Sequence, residues 1–167
     1  RPRPARLRLP APLAKMPVTA EVVAGFLATA DVGLVTITRN SGEFADRKRD
    51  GDFELTSEEK ALVKSVAGAF HARKKKVVVV LNVGGVVETP SWRDEADAIL
   101  LAWQPGQEAG HAVADVLKGR VPPSGKLATT FPARWEDVPS SANFPGKTLL
   151  GPDPNARGFM ANSDRAA

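Results

Sequence analysis

Four carboxylates stand in glycine- or proline-bearing stretches that follow apolar runs: Glu43 and Asp46 in RNSGEFADRK, Glu88 in VGGVVETPSW and Glu108 in WQPGQEAG. A carboxyl group that is protonated at rest and ionised after a first step can serve as general acid and then as general base. Cleavage of a glycosidic bond needs two such groups. One protonates the leaving oxygen and the other acts as nucleophile or base. Composition alone does not choose among the four, and a solvated loop acid is the ordinary fate of any one of them.

Other chemistries find less support. Gly84, Gly85, Gly106 and Gly110 lie near strand ends, yet neither GxxxxGK[ST] nor a GxGxxG after a strand occurs. PSGK at 123–126 precedes a strand rather than a helix, so it is not a phosphate loop. No serine occupies a GxSxG elbow, and the two histidines, His71 and His111, both fall in helical stretches. Glu108 and His111 form only a lone pair, short of the cluster a metal requires. Neither a metal nor a cofactor is expected.

These residues must be held by regular elements. TAEVVAGFLATA, 19–30, has the apolar stripe of an amphipathic helix, with Thr19 as its cap. VGLVTIT, 32–38, is β-branched and reads as a strand. The charged stretch 39–55 has no period and reads as a loop. Residues 57–72 form the clearest helix: Thr56 and Glu59 make a capping box, and Leu62, Val63, Val66 and Phe70 follow at helical spacing. VVVVLN, 77–82, and DAILLAW, 97–103, suit strands buried on both faces, a helix is expected over 105–119, and KLATTF, 126–131, reads as a last short strand. The alternation predicts an α/β fold, a three-layer α/β sandwich with a mostly parallel sheet flanked by helices. Ligands of such sheets gather at the carboxyl ends of the strands. The loops holding Glu43, Glu88 and Glu108 all leave those ends.

Composition sets the outer limits. The 167 residues suit one domain, with a hydrophobic content of 43% and a charged content of 25%. The net charge of +4 is local, because residues 1–20 hold Arg1, Arg3, Arg6, Arg8 and Lys15 and no acid. The remainder is close to neutral, which argues against a nucleic-acid partner. No apolar run approaches the roughly 20 residues of a membrane span. There is no cysteine and hence no disulfide framework. We expect a basic, proline-rich, flexible arm over 1–16, the sandwich domain over 17–132 and an irregular segment over 133–167.

Three long segments, RNSGEFADRKRDGDFELTSEEKALV, KKVVVVLNVGGVVETPSWRDEADAILLAWQPGQEAG and ADVLKGRVPPSGKLATTFP, carry a family resemblance. In this order they resemble the second domain of glycoside hydrolase family 3, the β-glucosidase family, from about residue 17 to about residue 146. The resemblance implies a retaining enzyme of two domains. A barrel supplies the aspartate nucleophile, and an α/β sandwich supplies a general acid/base glutamate from a segment like RxSGEGxDRK. By that match Glu43 is the general acid/base, and Asp46 and Arg47 are supporting residues that hold the loop. WQPGQEAG resembles a structural glycine-rich loop of the family. The implied partners are a β-glucoside or short β-glucan oligosaccharide and a missing barrel domain or partner chain.

Nothing in this chain resembles the nucleophile segment, so no nucleophile is assigned and the chain alone is expected to be weak or inactive. The glycine- and tyrosine-rich stretch with which the family continues is also absent, and the chain contains no tyrosine, so it is expected to be an internal piece of a longer protein. Phe44 stands where the family usually has glycine, and a side chain there narrows the accessible backbone angles. The alternative from the residues alone is a non-catalytic α/β module that binds sugar or protein.

Overall fold

A computed structural model of the chain describes residues 17–39 and 47–143. Three strands form one parallel sheet in the order β1 (Val32–Arg39), β2 (Lys76–Val83), β3 (Ala98–Leu101). Helix α1 (Ala20–Thr29) precedes β1, α2 (Ser57–His71) connects β1 to β2, and α3 (Ala109–Leu117) follows β3. This is the α/β layering that the alternation of elements predicts.

The helices begin where the sequence places their caps. Thr19 Oγ1 accepts from the Val22 amide at 3.4 Å. Thr56 accepts from the Glu59 amide at 3.2 Å while the Glu59 carboxylate accepts from the Thr56 amide at 3.0 Å, closing the capping box. Helix α2 then buries Val63, Val66, Ala67 and Phe70. These meet Val35 and Ile37 of β1 and Val77, Val79, Leu81 and Val83 of β2 in one apolar core.

Close approach of α2 depends on Gly33. A Cβ built there would lie 3.2 Å from Val66 and Val77 methyl carbons and 3.3 Å from the Phe70 ring. Glycine at this position lets helix and strand interlock without displacing a neighbour. On the other face of the sheet Val80 is buried, Val78 is half-buried, and Val32 and Leu34 are exposed.

Three expectations are corrected. The strand expected over 97–103 to be buried on both faces is β3, an edge strand among the described ones, with Ala98 and Ile99 exposed and Leu100 and Leu101 half-buried. Residues 126–131 form no strand. A strand exists through a ladder with a neighbour, and these residues pair with none of the described strands. Leu127 is exposed, and Phe131 turns inward so that its ring lies 5.9 Å from that of Trp103. Helix α3 is also shorter than 105–119, because Gly106 takes φ 75° and the helical turn starts only after it. Gly119, at φ 69°, follows the end of α3 as expected of a glycine stop. The arm 1–16 and residues 144–167 of the segment expected to be irregular lie outside the described residues. Residues 133–143 hold two short 3-10 turns, Trp135–Asp137 and Pro139–Asn143. Among the described residues, no helix is long and apolar enough to cross a membrane.

Candidate active site

With all strands parallel, the segments leaving β1, β2 and β3 start from one edge of the sheet. The first two are joined. A tight turn follows Lys48, with Asp50 at φ −77°, ψ 124° and Gly51 at φ 79°, ψ −9°. Those angles are a type II turn, whose third position needs glycine. The Asp52 carboxylate accepts from the Lys48 amide at 3.1 Å and closes the turn from inside. Phe53 is buried edge-on against Trp135, with ring centroids 5.6 Å apart. Its carbonyl accepts from the Glu88 amide at 2.7 Å, which ties this turn to the segment after β2.

Arg47 makes the second tie. Its guanidinium donates through Nη1 to the Val86 carbonyl at 2.9 Å and through Nη2 to the Asp52 carbonyl at 2.9 Å. Arg47 Nε is buried and has no hydrogen-bond partner among the described residues. Burial lowers the guanidinium's pKa and the positive charge of Arg39 lowers it further, while Asp52 opposes both. An arginine so placed remains charged, because its ordinary pKa exceeds about 12.

Arg39, at the end of β1, is held differently. Nη1 and Nη2 donate to the two Glu59 carboxylate oxygens at 2.8 and 2.6 Å, a buried bidentate pair, and Nε reaches the Asp52 carbonyl at 3.2 Å. Glu59 thus serves the capping box of α2 and the arginine of β1 at once.

The remaining candidate carboxylates separate clearly. Glu88 is buried, but its two oxygens accept from the Ser91 amide and hydroxyl, the latter at 2.7 Å, and its carbonyl accepts from Trp92 Nε1 at 2.7 Å. It pins its own turn. Glu108 is exposed and pairs with His111 Nδ1 at 2.6 Å. Trp103, after β3, sits in the left-handed region at φ 53° with its ring against Phe131. Glu43 and Asp46 lie outside the described residues, so of the three assigned site residues Arg47 alone has a described geometry. Among the described residues no group of three or more His, Asp or Glu side chains could hold a metal ion.

The family model for the glycosyl hydrolase family 3 C-terminal domain matches residues 16–160. This chain belongs to that family. It is 40% identical over 165 residues to beta-glucosidase A of Butyrivibrio fibrisolvens, covering 83% of this chain and 19% of the relative. It is 42% identical over 94 residues to an exo-alpha-(1->6)-L-arabinopyranosidase of Bifidobacterium longum, covering 56% of this chain and 12% of that protein. Among solved structures it resembles beta-glucosidase 3B from Thermotoga neapolitana in complex with glucose. That match has a TM-score of 0.76 at 48% identity and covers 87% of this chain and 20% of the other. The chain therefore spans about a fifth or less of the proteins it matches here.

Sequence reasoning singled out Arg47 but missed Arg39 and Glu59 as members of this edge. Arg39 and Glu59 are separated by the whole intervening loop, and only the capping half of Glu59's role is local enough to read.

Proposed function

We propose that this chain is the acid/base domain of a retaining β-glucosidase, with Glu43 as the proton donor and acceptor and with the nucleophile supplied by a domain outside this sequence. The observation that supports it is the placement of Arg39 and Arg47. These residues bracket 40–46, and both reach the Asp52 carbonyl at the carboxyl edge of a parallel sheet, where ligands of such sheets bind.

The chemistry follows from the two-carboxylate mechanism. In the first step Glu43 gives its proton to the glycosidic oxygen as the nucleophile bonds to the anomeric carbon and the C–O bond to the leaving group breaks. The aglycone leaves as an alcohol, and the sugar stays covalently bound. In the second step Glu43, now ionised, takes a proton from water as that water displaces the nucleophile. The negative charge of a nearby nucleophile raises the acid's pKa before the first step and is neutralised by the covalent bond before the second. Arg47, spent on backbone carbonyls, contributes position and a fixed positive charge. The substrate class is a β-glucoside or short β-glucan oligosaccharide. The choice of sugar is assigned largely to the part of the enzyme outside this chain, a reading that the arabinopyranosidase among the relatives supports.

The test is the Glu43→Gln variant in the intact enzyme that unites this chain with its nucleophile domain. Turnover of an alkyl β-glucoside should fall by about 10²–10⁴. Azide, which attacks the covalent intermediate without needing a base, should restore turnover of an aryl glucoside and yield the β-glucosyl azide. An unchanged rate on the alkyl glucoside, or sugar binding with no turnover by any form of the enzyme, would favour the non-catalytic module instead.

A further inference from the structure

Two guanidiniums meeting at one backbone oxygen is an unusual use of charge. The Asp52 carbonyl accepts from Arg39 Nε at 3.2 Å and from Arg47 Nη2 at 2.9 Å. Arg39 is the last residue of β1 and Arg47 the first described residue after 40–46, so the two ends of that segment are fastened to the same atom. Like charges repel, and although burial is the main cause of the lowered pKa of Arg47, the charge of Arg39 acts in the same direction. Their juxtaposition therefore has to be maintained by other groups.

Two residues do so from opposite sides. The Glu59 carboxylate holds Arg39 by a bidentate contact at 2.8 and 2.6 Å and is itself fixed to the start of α2 through the Thr56 amide. Gly85 holds Arg47 by absence. A Cβ at Gly85 would collide with Arg47 Nη1 and lie 3.3 Å from its Cζ. No positive φ demands glycine there, so space for the guanidinium is what a side chain at Gly85 would remove. With that space the guanidinium also reaches Val86 O on the segment after β2.

We propose that Glu59 and Gly85 are positioning residues for the acid/base reaction: they fix Arg39 and Arg47 on the Asp52 carbonyl and so set the two ends of the segment that carries Glu43. This rests on the assignment of Glu43 made above. Neither residue touches substrate. Each acts through an arginine, and a shift of about 1 Å in a proton donor is enough to cost a large share of its rate contribution.

The experiment compares two glycosides in the intact enzyme for Glu43→Gln, Glu59→Gln, Gly85→Ala and Arg47→Lys. A leaving group as acidic as 2,4-dinitrophenol departs without protonation, whereas an alkyl alcohol needs the proton. For Glu59→Gln and Gly85→Ala, kcat/KM on the alkyl β-glucoside should fall about ten- to hundredfold while the dinitrophenyl β-glucoside changes by about twofold or less. Arg47→Lys, which keeps the charge and loses the fork, should show the same split, so the proposal stays testable if Gly85→Ala does not fold. Equal losses on both glycosides, or no loss on either, would overturn it. If Glu43→Gln splits the two substrates and the other variants do not, the positioning role alone fails. If Glu43→Gln itself shows no split, the assignment of the acid/base fails, and the positioning proposal with it.

Discussion

The two edges of the sheet use charge in opposite ways. At the amino edge, Asp97 accepts from Lys76 Nζ at 2.7 Å, from the Val77 amide at 2.8 Å and lies 2.8 Å from His71 Nε2. One carboxylate there joins the end of α2, the start of β2 and the approach to β3. Beside it Lys75 Nζ donates to the Leu27 and Ala30 carbonyls at 3.0 and 2.6 Å, satisfying the end of α1. Lys76 and His71 face water while they bond Asp97. At the carboxyl edge two arginines sit side by side and converge on a neutral carbonyl. Only Arg39 has a described carboxylate partner, and Arg47 Nε is buried without a described acceptor. At the amino edge Asp97 and the carbonyls ending α1 take up Lys75, Lys76 and His71 within the junction itself. At the carboxyl edge Arg47 instead spends its guanidinium on two backbone carbonyls, with burial lowering its pKa and the nearby Asp52 charge opposing that shift.

Breaking the pair that is buried should separate the edges most sharply. Glu59→Ala leaves Arg39 in a pocket built for a bidentate carboxylate and also opens the capping box. A loss of about 3–5 kcal/mol in urea unfolding is expected. Gly85→Ala comes next, at about 1–3 kcal/mol, since the added methyl has to push a guanidinium off two carbonyls. Arg47→Ala in the same chain should recover part of that cost, because the collision disappears with the side chain. Strict additivity in this double-mutant cycle would show that the methyl acts on something other than Arg47.

The comparison also shows which features could be read along the chain. All three strands of the parallel sheet, the helix over 57–71 with its capping box and the glycine stop at Gly119 rest on patterns a few residues long, and they were legible. Arg47 and Asp52 hold the turn after Lys48 through carbonyls as well as charges, while Asp46, expected beside Arg47 as a support of the loop, lies outside the described residues. What was not legible depends on partners far apart in sequence. Residues 126–131 have a strand's composition but pair with none of the described strands. Gly85 looks like any loop glycine until Arg47 is seen lying over it. Glu59 reads as a cap, and its second task appears only when β1 returns an arginine to it.

At the amino edge the expected effect is a change in acid stability. Hydrogen bonds from Lys76, the Val77 amide and His71, in that order, hold the Asp97 carboxyl well below its ordinary pKa. A depressed folded-state pKa stabilises the fold above the unfolded value of about 3.9 and loses that contribution as pH falls through the folded one. Asp97→Asn should therefore flatten the stability profile below about pH 4 and lower stability at neutral pH. The readout is the urea midpoint followed from pH 7 down to pH 2. A profile parallel to the wild type throughout would mean that Asp97 is not the group lost in acid.

The smallest effect is expected from charge at the carboxyl edge that faces water. Arg49 bonds Glu54 at 2.7 Å and Glu136 at 2.6 Å, and its pKa is raised, mainly by the Glu54 hydrogen bond. Yet the Arg49 side chain is 48% exposed and that of Glu136 58%. Both ions keep much of their hydration when separated, and ordering two long side chains offsets what attraction remains. Arg49→Ala should leave the urea midpoint nearly unchanged, and any difference should shrink further in 1 M salt. The same substitution at Arg47, a neighbour in the same charge run, should be clearly destabilising at both salt concentrations, because its bonds to Val86 and Asp52 carbonyls are part-buried and little screened. Equal responses at the two positions would mean that the run acts through its charge alone and that burial does not distinguish its members.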